Sequence, residues 1–236
     1  MFPQLLLIET STEVCSVALS RGDQIICSRT VKEPKSHARI IAPLIQEIMS
    51  ECSTSIGKCH AVVVSEGPGS YTGLRVGASI AKGLCYGASI PLIAVSSLEL
   101  LARIAVSGTN KFPPSTILVP MIDARRMEVY TAKYNTECKA LSQTEAVVIT
   151  SESFAEELSK GIVVFTGDGA PKCKDIITHP NALFLEGEAN ATGMLIPALK
   201  KFKDKEFADV AYFEPFYLKD FVAGVTKKSL FKKPEA

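Results

Sequence analysis

The sequence lacks clustered histidines, the residues on which many metal sites and acid–base sites depend. Its three histidines, His37, His60 and His179, are far apart, and none has another histidine three or four residues away. The motifs HExxH and GxSxG are absent, and no Cys–His pairing signal occurs. A metal site would therefore need a tertiary coincidence, and the sequence alone offers no nucleophile–base pair.

Cysteine is present, but not in the patterns of a metal site or a disulfide framework. The count of seven is odd, and neither CxxC nor CxxH spacing occurs. The nearest pair, Cys52 and Cys59, has no further ligands at zinc-site spacing. We therefore expect reduced, mostly buried thiols in a cytosolic protein.

A long hydrophobic run and an excess of charge are also missing. No stretch approaches the roughly 18 apolar residues of a membrane span, and the apolar run at 5–8 has no basic residue before it, which argues against a signal peptide. The net charge of +1 gives no overall attraction to nucleic acid or membranes. We interpret the lysines near the end as a solvated tail: Lys227, Lys228, Lys232 and Lys233.

The most informative stretch reads AVVVSEGPGSYTGLRVGASIAKG and begins at Ala61. It predicts a buried strand, a glycine turn and then a helix over 72–87. These three features in succession form a common anion cradle, in which glycines let the backbone approach a ligand and hydroxyls cap the helix. The turn is neither a P-loop nor the dinucleotide fingerprint, because its spacing fits neither motif. The candidate residues are Gly67, Gly69, Ser70 and Thr72.

Small residues follow one another at helical spacing in the predicted helix. Gly73, Gly77, Ala81 and Cys85 recur every four residues and therefore share one face. Two glycines inside a helix cost about 1 kcal/mol each relative to alanine, so the close approach of another backbone is expected. The face formed by these small residues packs either against the protein's own sheet or against a helix of a partner chain.

The remaining pattern divides the chain into two halves. The first half reads as three strands at 5–9, 14–20 and 24–31, a helix from Ser36 to about residue 50, and then a strand, a helix, a strand at 91–95 and a helix to about 106. Pro43 should kink the first helix or mark its true start. This order predicts a mixed sheet with helices against it.

The stretch 107–114 contains glycine, asparagine and two prolines, and is the best boundary between the halves. Beyond it the patterns are weaker. Strands are predicted at 116–121, 127–134, 147–149 and 162–165, with helices opening at Ser151 and spanning about 190–203.

Two further turns are candidate phosphate contacts. Glu9, Thr10 and Ser11 follow a predicted strand, and such a hydroxyl-rich turn could hold phosphate, although a plain turn closing a hairpin explains it equally well. Gly167 and Gly169 also follow a predicted strand, where a strand-to-helix corner is the alternative.

Together these segments resemble the TsaB (YeaZ) family of the glycoprotease-like group. The resemblance rests on five segments: IETSTEVCSVAL at 8–19, SHARIIAPLIQEIM at 36–49, SEGPGSYTGLRVGASIAKGL at 65–84, IDARRMEVYTAKY at 122–134 and TGDG at 166–169. It covers most of the chain, is most specific over 61–106 and is looser over 135–236.

The resemblance implies an α/β fold of the actin-like, sugar-kinase-like ATPase (ASKHA) class, with two lobes of mixed sheet, flanking helices and a reduced second lobe. The expected domains are a first lobe at 1–106, a second lobe at 107–214 and a C-terminal segment with the lysine-rich tail at 215–236. The resemblance also implies a cytoplasmic, non-catalytic scaffold in the synthesis of threonylcarbamoyladenosine in tRNA, with no cofactor of its own. Its expected partners are the catalytic relative TsaD and the small ATPase TsaE; tRNA is reached only through the complex, and a homodimer forms in isolation.

Comparison with the TsaD-type relatives gives a chemical reason for this expectation. Those proteins carry two histidines at i and i+4, in a run resembling VNHLEGH, that hold a metal. This chain reads VSSLELL from Val95 and has Ser97 and Leu101 at those two positions. Leucine cannot ligate a metal and serine is a poor ligand. The loss favours a scaffold over the two alternatives, a nucleotide-dependent carbamoyl transferase or kinase and a metal-dependent peptidase.

In the scaffold interpretation, the helices at 36–50 and 72–87 pair with the equivalent helices of TsaD, or with those of a second copy of this chain. The predicted interface residues are Ile41, Ile45, Met49, Gly73, Gly77, Ala81 and Cys85.

Overall fold

The computed structural model describes residues 2–107 and 111–219. The first lobe is built on a five-stranded sheet in the order β3-β2-β1-β4-β5. Its strands are β1 (Gln4–Glu9), β2 (Val14–Arg21), β3 (Gln24–Lys32), β4 (Ala61–Gly67) and β5 (Leu92–Ser96). The first three strands are antiparallel, β4 is parallel to β1, and β5 is parallel to β4. The predicted mixed sheet is therefore confirmed.

Helices cover both faces of this sheet, which explains why β1 is apolar without alternation. Leu6 and Ile8 pack in a core with α1 (His37–Glu51) and α2 (Tyr71–Ala88). Leu5 and Leu7 belong to a second core that includes α3 (Ser97–Ala105) and residues of the second lobe.

The second lobe repeats the connectivity of the first with mostly shorter strands. Its sheet has the order β10-β9-β6-β7-β8; β6, β7 and β8 are antiparallel, and β9 and β10 continue in parallel from β6. Its strands are β6 (Ile117–Asp123), β7 (Glu128–Thr131), β8 (Glu145–Val148), β9 (Val163–Thr166) and β10 (Ala182–Leu185), and its helices are α4 (Ala155–Lys160) and α5 (Leu195–Asp204). The two lobes thus share one topology, and the second lobe is a reduced version of the first.

The two lobes share one core, because α3 contacts strands of both sheets. Leu98 and Leu101 of α3 are fully buried there together with Leu118 and Val164 of the second sheet. The candidate turns lie at the ends of β1, β4 and β9.

Some predicted elements need correction. Pro43 lies inside one continuous helix rather than at its start, because the buried apolar face of α1 outweighs one lost hydrogen bond. The helix expected to open at Ser151 begins only at Ala155, after Phe154 adopts a left-handed conformation with φ 63°. The helix expected at 190–203 divides into a 3₁₀ turn, Ala191–Met194, and α5.

The chain after α5 returns to the first lobe. Ala208 pairs with Leu92 of β5, and Lys82 of α2 donates to the carbonyl of Phe213. Residues 206–214, which the sequence assigns to the second lobe, therefore lie against the first, and we call 206–219 the C-terminal strap. The predicted lysine tail at 227–233 and part of the boundary segment 107–114 lie outside the described residues. No helix in the described ranges is long and apolar enough to span a membrane.

Candidate functional site: the turns at the lobe junction and the outer face of two helices

The structure brings the first two predicted phosphate turns together. Ser11 lies just past the end of β1 and accepts a hydrogen bond on its carbonyl oxygen from the backbone N–H of Ser70, at 2.7 Å. Ser70 is the N-cap of α2, and its hydroxyl accepts from the N–H of Gly73 at 3.3 Å. Thr72 is exposed in the first helical turn, so only one of the two predicted capping residues occupies the cap position.

The glycines of these turns are accounted for by contacts within the chain. A Cβ added to Gly69 would overlap the carbonyl oxygen of Ser11, and one added to Gly73 would overlap that of Thr10. Gly67 has φ +111°, and its Cβ position lies 2.7 Å from the carbonyl oxygen of Phe216 in the strap. The close approach predicted for this turn is real, and its partner is the protein's own backbone.

The third predicted turn is built in the same way on the second sheet. The Cβ position of Gly167 would overlap the carbonyl oxygen of Met121, whereas that of Gly169 lies in tight contact, 3.0 Å from the backbone carbonyl carbon of Ile122. Gly167 has φ +101°, a conformation that favours glycine. The N–H of Gly169 donates to the carbonyl of Met121 at 3.0 Å. The strand-to-helix corner therefore explains these two glycines without a ligand.

Glu9 is the unusual group at this junction because its carboxyl is fully buried. Its Oε1 accepts a hydrogen bond from the N–H of Ser11 at 2.5 Å, while Oε2 has no partner among the described residues. Burial raises the pKa of Glu9 to about 7. Other buried hydroxyl oxygens without a partner in the described chain are those of Thr10, Ser11, Ser20, Ser97, Thr116 and Thr166. The junction thus contains a group of buried polar side chains around Glu9.

The two positions that the resemblance aligns with metal-binding histidines are buried and unsuited to a metal. Ser97 and Leu101 are both fully buried in α3. The Cδ1 atom of Leu101 lies 3.0 Å from the Cβ position of Gly167, so an apolar side chain packs against the third turn. Over residues 2–107 and 111–219, no group of three or more His, Cys, Asp or Glu could hold a metal ion. The residues present therefore do not fit a metal at this place.

The small-residue face of α2 points inward, which corrects the expectation that it is a partner surface. A Cβ on Gly77 would overlap the hydroxyl of Thr10, and Ala81 and Cys85 are 0% and 1% exposed in the core under α1 and α2. Gly73, as described above, lies against Thr10. The first of the two alternatives, packing against the protein's own sheet, describes all four residues.

The outer surface of the same helices carries an apolar groove of about 350 Å³. Ile45 and Met49 of the predicted interface line it, although each is largely buried, while Ile41 is fully buried and does not. A second depression begins at Tyr71 and Arg75 and shares Ile80 with the first. We call these two together the α1–α2 groove; it is lined by Ala38, Ala42, Ile45, Gln46, Met49, Thr54, Ser55, Ile56, Tyr71, Thr72, Arg75, Val76, Ser79, Ile80 and Leu84.

The prediction missed the stripe that forms the α2 wall of this groove. Val76, Ile80 and Leu84 also recur every four residues, one position before the small-residue stripe. They are partly buried, whereas Gly77 and Ala81 beside them are buried. The four-residue spacing of the aliphatic stripe was visible in the sequence, but the spacing alone does not show which of two adjacent stripes faces the sheet.

Two related sheets around a shared helical core make this a two-lobed α/β protein. A family model described as TsaD, tRNA N6-adenosine threonylcarbamoyltransferase, matches residues 31–212. The Escherichia coli (strain K12) protein named tRNA threonylcarbamoyladenosine biosynthesis protein TsaB is 33% identical over an alignment of 228 residues, and the match covers 93% of this chain and 96% of that protein. The chain therefore belongs to the TsaB (YeaZ) family.

Solved structures agree with the fold. A Pseudomonas aeruginosa protein with similarity to peptidase YeaZ superposes with a TM-score of 0.81 at 24% identity, covering 92% of this chain and 100% of that one. A second structure, YeaZ from Pseudomonas aeruginosa, gives a TM-score of 0.76 at 25% identity with the same coverage.

Proposed function

We propose that this chain is a non-catalytic subunit in the synthesis of threonylcarbamoyladenosine in tRNA, which docks and activates a TsaD-like catalytic subunit through the α1–α2 groove. The link to this pathway comes from the name of the Escherichia coli relative. The observation that carries the non-catalytic role is Leu101, an apolar core residue where the catalytic relatives place a metal ligand.

Neither enzymatic alternative finds the chemistry it needs in the described chain. A metal-dependent peptidase requires a ligand cluster, and none is formed by the residues that the structure describes. A carbamoyl transferase or kinase requires an open phosphate site, yet Gly67 and Gly69 face the chain's own carbonyl oxygens. Buried Glu9 alone does not supply a reaction.

The α1–α2 groove has the composition of a docking surface. Its walls are mainly aliphatic, with Val76, Ile80 and Leu84 on one side and Ile45 and Met49 on the other. Stable complexes bury about 800 Å² per partner around an apolar centre. Because related folds present equivalent helices, a TsaD-like subunit could pair with this face, and a second copy of the chain would use it in a homodimer when that subunit is absent.

In this proposal the small ATPase of the TsaE type and the tRNA join through the assembled complex. The net charge of +1 gives the chain no overall attraction for tRNA by itself. The protein then contributes a surface that positions its catalytic relative rather than a reacting group.

Ala42→Arg tests the docking surface with little effect on folding. Ala42 is an exposed residue of α1 that lines the groove, so the arginine places an unpaired charge where a partner would bury it. Ser50→Arg adds the same side chain to an exposed position of α1 outside the groove and is the matched control. Calorimetric titration with the TsaD-like subunit of the same genome should show binding at least about tenfold weaker for Ala42→Arg alone. Equal affinities for the two variants would contradict the proposed surface.

A further inference from the structure

The C-terminal strap is fixed to the first lobe by backbone contacts along its length. The N–H of Ala208 donates to the carbonyl of Leu92 at 2.9 Å. Lys82 Nζ donates to the carbonyls of Ala211 and Phe213 at 3.0 and 3.1 Å. The strap therefore runs from the edge strand β5 across α2 toward the glycine turn.

At the glycine turn the strap covers the backbone directly. The N–H of Phe216 donates to the carbonyl of Glu66 at 2.6 Å, and the carbonyl oxygen of Phe216 lies over Gly67. The strap can lie this close only because residue 67 is a glycine, since any side chain there would meet Phe216. While the strap is in place, this side of the turn is closed.

Beyond Phe216 the strap is held by one side-chain cluster and one ion pair. The Tyr217 ring lies 4.8 Å from the Tyr71 ring, and its hydroxyl accepts a hydrogen bond from Arg75 Nε at 3.4 Å. The Arg75 guanidinium lies 4.1 Å above the Tyr71 ring. Lys219 then pairs with Glu128 of β7 in the second lobe. The strap therefore bridges the two lobes as well as covering the turn.

We propose that the C-terminal strap is a releasable clasp that closes the glycine turn and ties the two lobes together, and that Tyr217 is the residue that holds it. Ala208, Val210 and Phe213 anchor the first part of the strap against the first-lobe core. Residues 214–219 are held mainly by the Phe216 backbone, Tyr217 and Lys219, so this end can open without unfolding either core. Opening would uncover Gly67 and free the second lobe at Glu128.

The residues that hold Tyr217 also belong to the α1–α2 groove. Tyr71 and Arg75 line the depression on the outer face of α2 while contacting Tyr217. A partner in the groove would restrict the motion of these two side chains and so lower the entropic cost of holding Tyr217. Docking and strap closure should then favour each other by the same factor. This coupling rests on the proposed function, whereas the clasp itself does not.

Hydrogen exchange on the full chain tests the clasp with a matched pair of tyrosines. Tyr217→Ala removes the aromatic and guanidinium contacts, while Tyr212→Ala changes a side chain of the same strap that is 84% exposed. Strap peptides that contain the Phe216 amide should exchange about tenfold faster in Tyr217→Ala than in wild type, and Tyr212→Ala should match wild type. Equal exchange in the two variants, or loss of protection only beyond Phe216, would overturn the clasp.

Adding the TsaD-like subunit to the same samples tests the coupling. Bound wild type should exchange its strap amides more slowly, and Tyr217→Ala should bind several-fold more weakly than Tyr212→Ala. Binding that leaves strap exchange unchanged refutes the coupling. Absence of binding to wild type refutes the proposed function and the coupling with it, and leaves the clasp to be judged by the tyrosine pair alone.

Discussion

Replacing Gly73 by alanine probes the contact that orients α2 on the first sheet. A Cβ at this position would lie under 3.0 Å from the carbonyl oxygen of Thr10, a backbone atom next to a fully buried strand. Relief requires the helix or the strand to move, and such overpacking costs about 1–3 kcal/mol. Alanine returns about 1 kcal/mol through its better helix propensity, so we expect a net loss of up to about 2 kcal/mol.

Gly83→Ala is the matched control on the same helix. Nothing lies within 4 Å of its Cβ position, so this change should stabilise the protein by about 1 kcal/mol through propensity alone. Thermal unfolding of both variants gives the comparison, since 1 kcal/mol shifts Tm by about 2–4 °C in a protein of this size. Gly73→Ala should melt below wild type and Gly83→Ala above it. A Gly73→Ala protein that melts at or above Gly83→Ala would refute the packing of α2 on Thr10.

Two further outcomes follow from the lobe junction. Burial raises the pKa of Glu9 from 4.5 to about 7, so the folded state favours the neutral carboxyl and loses about 3 kcal/mol of stability as pH rises from below 4.5 to above 7. Urea unfolding at pH 5 and pH 8 should show most of this loss in wild type and much less of it in Glu9→Gln. Identical pH profiles for the two proteins would contradict this expectation. The double change Ser97→His and Leu101→His should not create a transferase, because two ligands without supporting contacts do not make a functional metal site; the double change should also lower Tm because both positions are fully buried. Transfer activity in the double variant would show a more complete site than we describe.

The parts of the fold that could be predicted are those with strong local patterns. The strand, turn and helix from Ala61 to Ala88 were predictable because a short apolar run, a glycine turn and helical periodicity follow one another. The strand β10 was missed because Ala182–Leu185 is four residues long and only partly buried. The late start of α4 depends on the left-handed backbone at Phe154, a conformation that is uncommon for phenylalanine and is not predicted from its sequence.

The site was less predictable because its decisive contacts join distant residues. Periodicity placed Gly73 and Gly77 on one face, but the direction of that face is set by Thr10, more than sixty residues earlier in the chain. The strap is an extreme case, since Arg75 and Tyr217 are 142 residues apart. Nothing local to either residue indicates that they meet.

The most direct test of the central claim is threonylcarbamoyl transfer to tRNA by purified components. The assay would compare this chain alone, the TsaD-like subunit alone and the two together, each with the TsaE-like ATPase, threonylcarbamoyl-AMP and ATP. We expect no product from this chain alone, strong stimulation of the TsaD-like subunit by wild type and by Ser50→Arg, and weak stimulation by Ala42→Arg. Product formed by this chain without the TsaD-like subunit would contradict the account.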